Sequence, residues 1–271
     1  MVRYENIVAG PVVDELKLYL GSDINIANGI TLYQPTIGEI ANYNEAEYFS
    51  VAQTLAATPS SMKVALDDMG LDYMKVEDFQ LFMMLCRSLT LDKTRPLLGD
   101  LDLTKFKPYS VGETEEVILA NGEIGEDGQP IIINEIIYEV LVTYIRKMHG
   151  FKKQVDMAKN DITRQVLIDD ERKNAERNKG KPYKSFLVPL VSSLQGRQGY
   201  TKEYICNMGL YEFMNQINRV QIIVQADAVL GGMYSGFVDT KKIDKTVLDW
   251  TRDITEESNK NNKTILNEGA N

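Results

Sequence analysis

A chain of 271 residues with 44% apolar and 25% charged residues has the composition of a globular protein that can bury its own core without a metal or disulfides. Its formal net charge of −9 disfavours binding to nucleic acid or an anionic membrane surface, because such binding requires clustered Lys and Arg. The sequence has no apolar run of about 18 residues and no signal peptide, which predicts a cytosolic protein without a membrane span.

The first elements of the chain are predicted from local turn and cap signals. Asn28 and Gly29 form a typical hairpin turn before a strand. Thr36 and Glu39 have the spacing of a capping box, so a helix is predicted to begin there.

The remaining elements follow from apolar periodicity, caps and turn residues. The predicted helices are 36–57 with a break near 42–44, 60–69, 76–89, 134–148, 151–179, 186–194, 201–209 and 210–230, with one or two further turns at 246–254. A β-hairpin with a long loop is predicted at 115–133. Residues 91–112 contain two prolines and two glycines and are predicted to be irregular.

The predicted helix 76–89 is apolar on nearly every face. Phe82 lies on its main apolar stripe, whereas Met84 lies on another face beside Met83. Such a helix is either the centre of a core or keeps its Met83–Met84 side for a partner.

The predicted helix 210–230 is the longest and is amphipathic. Phe213 and Ile217 lie on its apolar stripe, opposite a side rich in Asn, Gln and charged residues. It is either a core helix or a helix that docks into a partner groove. The glycine pair at 231–232 is predicted to end it.

The clearest break in the chain is the sequence Gly-Lys-Pro at 180–182. It divides the chain into an N-terminal α+β region, 1–179, with a small β-hairpin, and a C-terminal helical region, 183–255. The polar tail 256–271 is predicted to be disordered. The predicted fold class is mainly α with a small β element (α+β), a helical bundle-like domain with a short hairpin.

The motifs of the common enzyme sites are missing from the sequence. There is no glycine-rich phosphate-binding loop, and the single histidine, His149, excludes every site that needs two. His149 lies at the end of a predicted helix, which favours a surface or helix C-terminal role over a catalytic one. Cys86 and Cys206 lie in apolar contexts and are predicted to be buried thiols. No enzyme activity, catalytic residue, cofactor or metal is therefore predicted, and an enzyme or nucleotide-binding protein is only the third hypothesis.

Several segments of the chain follow one another in an order, and with apolar and turn residues, that is similar to the pattern of a known family. They are Gln34-Pro35 with 37–40, Thr58-Pro59 with Lys63, GLDYMKVEDFQLF at 70–82, the hairpin and helix at 117–148, and the segment from LYEFM to YSG within 210–239. This order, which spans most of 31–255, resembles the tail assembly chaperones and related tail morphogenesis proteins of tailed bacteriophages of Gram-positive bacteria.

The resemblance implies a function in protein binding and no catalytic residues. A tail assembly chaperone coats the long helical tape measure protein and recruits tail tube subunits in the host cytoplasm, with no nucleic acid or membrane partner. The alternative is a structural tail or baseplate component that remains in the virion tail. The residues proposed for partner binding are Phe82, Met84, Phe213 and Ile217. Association into a homo-oligomer is a further expectation.

Overall fold

The computed structural model describes residues 13–110, 116–126, 128–235 and 245–252. Within these ranges the chain forms eleven α-helices and two small antiparallel β-sheets, which confirms the predicted class of mainly α with a small β element. The predicted tail 256–271 lies outside the described residues.

The strands all lie before residue 135, and the described residues after it form only helices and the segments that connect them. The helices are α1 Glu15–Tyr19, α2 Ile37–Tyr43, α3 Glu45–Leu55, α4 Lys63–Asp68, α5 Asp78–Cys86, α6 Leu91–Leu98, α7 Glu135–His149, α8 Asp161–Asn178, α9 Leu187–Gln198, α10 Lys202–Cys206 and α11 Leu210–Tyr234. The strands are β1 Ile24–Ala27, β2 Ile30–Leu32, β3 Lys107–Ser110, β4 Val117–Ile124 and β5 Pro130–Ile133. Short 3-10 turns lie at Leu103–Lys105 and Lys245–Leu248.

Several helix ends are fixed by the local signals that the sequence predicts. The Thr36 hydroxyl accepts the Glu39 N–H at 3.2 Å, and the Glu39 carboxylate accepts the Thr36 N–H at 2.8 Å, which confirms the capping box. The predicted break falls at Asn44, whose φ of 139° separates α2 from α3. Asn134 caps α7, and Gly150 ends it with a φ of 68°, which glycine adopts without steric cost.

Helix α5 is apolar nearly all round because it lies between two hydrophobic clusters. Phe79, Phe82 and Cys86 pack into the main core. Leu81 points the other way, into a smaller cluster with Leu66 of α4 and Ile168 of α8. These buried faces account for most of the apolar surface of this helix, so its sequence reflects core packing.

Helix α6 and strand β3 lie where the sequence predicts irregular chain, and that prediction is wrong. Pro96 removes one helical N–H, which leaves the Asp92 carbonyl without its usual donor. The Tyr43 hydroxyl donates to that carbonyl at 3.2 Å. Leu97 and Leu98 are buried in the main core. The hydrogen bond from Tyr43 and the burial of Leu97 and Leu98 together offset the free-energy cost of a proline inside a helix.

The hairpin at 115–133 is part of a larger sheet. Strand β3 pairs with β4, which pairs with β5, so the predicted hairpin gains a third, edge strand. Pro108 is tolerated in β3 because an edge strand leaves some N–H groups outside the ladder.

Two predicted helix boundaries are also wrong. Helix α8 begins at Asp161 rather than at 151, because hydrogen bonds from the turn at 58–60 hold the preceding segment in an irregular conformation. The Thr58 hydroxyl donates to the Gln154 carbonyl at 2.8 Å. Helix α11 continues past the glycine pair to Tyr234, since about 1 kcal/mol per glycine is a small cost for a helix already formed over five turns.

The regions 1–179 and 183–255 pack against each other in this structure. The main core takes buried residues from both, including Ile205, Phe213 and Ile217 of the second region. Main-chain bonds also join the two, since the Ile37 N–H donates to the Met208 carbonyl at 3.0 Å. Gly38 allows this close approach, because a Cβ there would lie 3.0 Å from the Cys206 carbonyl oxygen. The division into two regions stays a prediction.

Candidate partner-binding groove

A groove of about 1340 Å³ lies between α3, the end of α7, the segment 183–186 and α11. It therefore has one wall from the C-terminal region and one from the N-terminal region. Aromatic, amide and basic side chains dominate its lining. The residues that form it include Phe49, Gln53, Arg146, Lys147, His149, Phe151, Lys152, Tyr183, Lys184, Phe186, Met214, Asn215, Asn218, Arg219 and Ile222.

The floor of the groove is a row of packed aromatic rings. Phe186 meets Phe49 edge-on with ring centroids 5.6 Å apart, and Phe49 meets His149 at 6.2 Å. His149 stacks on Phe151 at 4.9 Å. Phe186 is 46% exposed, so the row continues to the surface at the groove edge. Such a floor can bury apolar side chains of a ligand.

His149 ends α7 as the sequence predicts, but it is buried within this row of rings, so the surface alternative is wrong. The ring is only 6% exposed, because α3 and the segment after α7 cover the helix end. Its Nδ1 lies 2.7 Å from the Ile145 carbonyl, which can only accept, so Nδ1 carries the proton. The Tyr48 hydroxyl then donates to Nε2 at 2.7 Å. Burial lowers the pKa of His149 to about 4, and the ring is neutral at pH 7.

Glu45 fixes the segment that forms the groove edge. Its carboxylate accepts the Ser185 hydroxyl at 2.6 Å and the N–H groups of Phe186 and Leu187 at 2.7 and 2.9 Å. Partial burial raises the pKa of Glu45, but these hydrogen bonds outweigh burial and the pKa is lowered overall. The carboxylate therefore holds both Phe186 and the start of α9 against α3.

The wall formed by α11 is polar without being acidic. Asn215, Asn218 and Arg219 line it, beside the apolar Met214 and Ile222. Amide side chains both donate and accept hydrogen bonds, so they can pair with a peptide main chain. The sequence assigns this side of the helix to the polar surface, and the structure turns it toward the groove.

The four residues proposed for partner binding from the sequence do not come together. Phe82 is 2% exposed, and Phe213 and Ile217 are also core residues. Met84 is 44% exposed on α5, outside the groove lining. A partner could reach only Met84 in this conformation, and its binding role stays a prediction.

Sequence reasoning missed Phe49 and Phe186 as groove residues. Phe186 is the last residue of KPYKSF, 181–186, which contains part of the predicted break at 180–182, and it begins the predicted helix 186–194. The two phenylalanines are more than a hundred residues apart in sequence, and only the tertiary fold places them together. The one available signal is the aromatic residue Phe186 shortly after the break at 180–182.

The described part of the chain also bears on metal binding, membrane insertion and the two cysteines. No group of three or more His, Cys, Asp or Glu side chains there is arranged to hold a metal ion. None of the described helices is long and apolar enough to cross a membrane. Cys86 is buried, and burial raises its thiol pKa to about 12, but Cys206 is exposed, contrary to prediction.

Comparison with known proteins matches the C-terminal part of the chain to a family model. Residues 179–255, less than a third of the chain, match the family model of the YomV second domain. YomV is a protein encoded by a Bacillus phage. The matched range includes the groove edge at 183–186 and the α11 wall. Neither a curated protein nor a solved structure matches the chain. The match supports a phage protein and does not address tail assembly.

Proposed function

We propose that the chain is a phage tail assembly chaperone that binds other tail proteins, such as the tape measure protein and tail tube subunits, in the host cytoplasm. The groove is the observation that carries this proposal. At about 1340 Å³ it exceeds the volume of roughly 300–1,000 Å³ that small-molecule sites occupy, so a protein segment fits it better. Its aromatic floor and amide wall are suited to the side chains and main chain of such a segment.

Two further features support the proposal. The match to a phage-encoded domain covers one wall of the groove. The net charge of −9 favours solubility of a protein whose aromatic surface is exposed before the partner binds. Neither catalysis nor a cofactor forms part of this function.

The test is co-purification from phage-producing cells, followed by identification of the bound proteins by mass spectrometry. A tail protein should be recovered with the tagged chain, and the chain should be missing from purified virions. A chain that persists in virions would instead be a structural tail or baseplate component. Recovery of no tail protein would overturn the proposal.

A matched pair of variants links this binding to the groove. Phe186→Asp places a carboxylate on the aromatic floor and should abolish recovery of the tail protein. Val188→Asp is the control, because Val188 is exposed two residues further on and does not line the groove. Equal recovery with both variants would place the binding site elsewhere.

A further inference from the structure

Charged contacts rather than a broad apolar face hold helix α8 to the rest of the chain. Among its eighteen residues, all of which the structure describes, only Ile168 is buried. Two arginines of α8 form ion pairs with three aspartates of α4 and the segment after it: Arg164 with Asp72, and Arg172 with Asp67 and Asp68. Ion pairs between partly exposed side chains contribute little to stability and are screened by salt. Helix α8 is therefore only weakly held.

Helix α8 is connected to the core by irregular segments on both sides. Residues 151–160 and 179–186 contain neither helix nor strand. Hydrogen bonds fix the first segment at Asp156 and the second at Ser185. The residues between these two points and α8 can change conformation while both hydrogen bonds stay in place, so the connection permits α8 to move as a unit.

The surface that Ile168 covers is apolar and has an acidic edge. Leu66, Tyr73 and Leu81 form this surface, which we call the α4–α5 surface. The three aspartates that pair with the arginines of α8 lie on either side of it. The Tyr73 hydroxyl is buried and has no hydrogen-bond partner among the described residues. Helix α8 therefore leaves a polar group of this surface unsatisfied, at a cost in free energy.

Three residues of α8 show what the α4–α5 surface recognises. Arg164, Ile168 and Arg172 are spaced by four residues, so they lie on one face of the helix. Ile168 enters the apolar cluster, and the two guanidinium groups reach the aspartates on either side. A helix with an apolar residue between two cations at this spacing therefore complements the surface in both its apolar centre and its charge.

We propose that α8 is a displaceable internal ligand of the α4–α5 surface, and that a helix of another protein replaces it. This partner helix has an apolar residue between two basic residues, each four positions away. Helix α8 then acts as an autoinhibitory element, because it competes with the partner for the same aspartates. The α4–α5 surface lies outside the groove lining. The inference therefore goes beyond the proposed function and does not depend on it.

The first measurement is hydrogen exchange of the full chain at about 50 and about 500 mM salt. Amides of α8 should exchange about tenfold faster at the higher salt concentration, because the ion pairs are screened and a free helix of this length is marginally stable. Amides of α7, which packs into the main core, should exchange at nearly the same rate in both conditions. Amides of α8 that exchange as slowly as those of α7 in both conditions would overturn the inference, because α8 would then open only when the whole chain unfolds.

The second measurement is the binding of a fluorescent peptide with the sequence of residues 160–179 to the full chain. Arg164→Glu/Arg172→Glu in the chain should release α8 and raise the affinity for the peptide about tenfold, since the attached helix no longer competes. Lys173→Glu/Arg177→Glu is the control, because it changes the net charge equally at exposed positions of the same helix, and it should leave the affinity as low as in the wild type. A peptide that itself carries Arg164→Glu/Arg172→Glu should bind none of these chains.

Ile168→Ala decides the question if the charge variant does not fold. It weakens the docking of α8 without adding charge, so it should also raise the affinity for the peptide. Equal affinity of the peptide for the wild type and for the variants that release α8 would overturn the inference. So would light scattering that shows a dimer which Arg164→Glu/Arg172→Glu converts to monomer, since the occupant would then be α8 of a second copy.

Discussion

At the scale of single residues, the buried ring of His149 makes the stability of the protein depend on pH. Its pKa is about 4 in the folded protein and about 6.5 in an unfolded chain. Between these values the unfolded chain binds more protons, so the free energy of unfolding falls as the pH falls from 6.5 to 4. This ring alone should remove up to about 3 kcal/mol over that interval, measured by urea unfolding at several pH values.

His149→Gln provides the control, because it removes the titrating ring from the same buried site. The variant should be less stable at pH 7 and should lose much less stability between pH 6.5 and 5. Glu212 does not explain an acid loss, since burial raises its pKa and therefore favours the folded state at low pH. An unchanged pH slope in the variant would mean that the ring is not buried as the structure shows.

A second prediction concerns Phe82 and Met84, which are two residues apart on α5. Phe82→Ala should lower the free energy of unfolding by about 3–5 kcal/mol, because it empties a site in the main core. Met84→Asp should change it by less than about 1 kcal/mol, since Met84 is exposed. Thermal unfolding of both variants checks the pair. A large loss with Met84→Asp would place that side of α5 in the core as well.

At the scale of elements, a partly buried ion pair holds the segment that leads to helix α8 against α4. The side chain of Lys63 is 5% exposed, and its ammonium lies 2.6 Å from the Asp156 carboxylate in the segment that leads to α8. Lys63→Ala should cost about 1–3 kcal/mol, because it leaves the partly buried Asp156 carboxylate without its cation. Urea unfolding measures the loss, and hydrogen exchange should show earlier opening of α8.

Arg172→Ala is the matched comparison, because Arg172 lies on the exposed side of the contact between α4 and α8. Arg172 contacts both Asp67 and Asp68, yet all three side chains are at least a third exposed. Its removal should cost no more than about 1 kcal/mol, and salt should reduce that cost further. Equal losses for the two variants would contradict the difference in burial.

A fourth prediction concerns the contact between α3 and α9. Glu45→Gln removes a charged acceptor of three hydrogen bonds at the start of α9. The free energy of unfolding should fall by about 1–2 kcal/mol, and amides at 185–188 should exchange faster. Glu47→Gln, an exposed change two residues along α3, should have little effect. Equal exchange in the two variants would show that Glu45 does not hold the groove edge.

The sequence predicts elements well where the deciding interaction is local and poorly where it is distant. The capping box at Thr36 and the cap at Asn134 involve neighbours three residues away, so their signals are visible in the chain. Helix α6 depends on Tyr43, about fifty residues away, and was predicted as irregular. The groove was missed for the same reason, because Phe49 and Phe186 meet only in the folded protein.

At the scale of the whole molecule, the question is whether the C-terminal region can fold without the N-terminal one. Residues 179–255 match the family model of the YomV second domain. In this structure, however, Leu194, Ile205 and Phe213 are buried in a core shared with residues before 179. Separating the regions would expose these side chains. A segment of about 75 residues buries a smaller fraction of its surface on folding than a larger domain does, so losing these contacts should unfold it.

We therefore expect a fragment of residues 179–255 to be unfolded alone, with weak helical circular dichroism and no cooperative thermal transition. Mixing it with a fragment of residues 1–179 should restore helicity, because the shared core and the main-chain bond between Ile37 and Met208 can then form. The full chain measured under the same conditions is the control. A cooperative transition in the isolated fragment would show that the region is an autonomous domain. The groove would then be an interface between two units that can separate, and partner binding would be sensitive to the linker at 180–182.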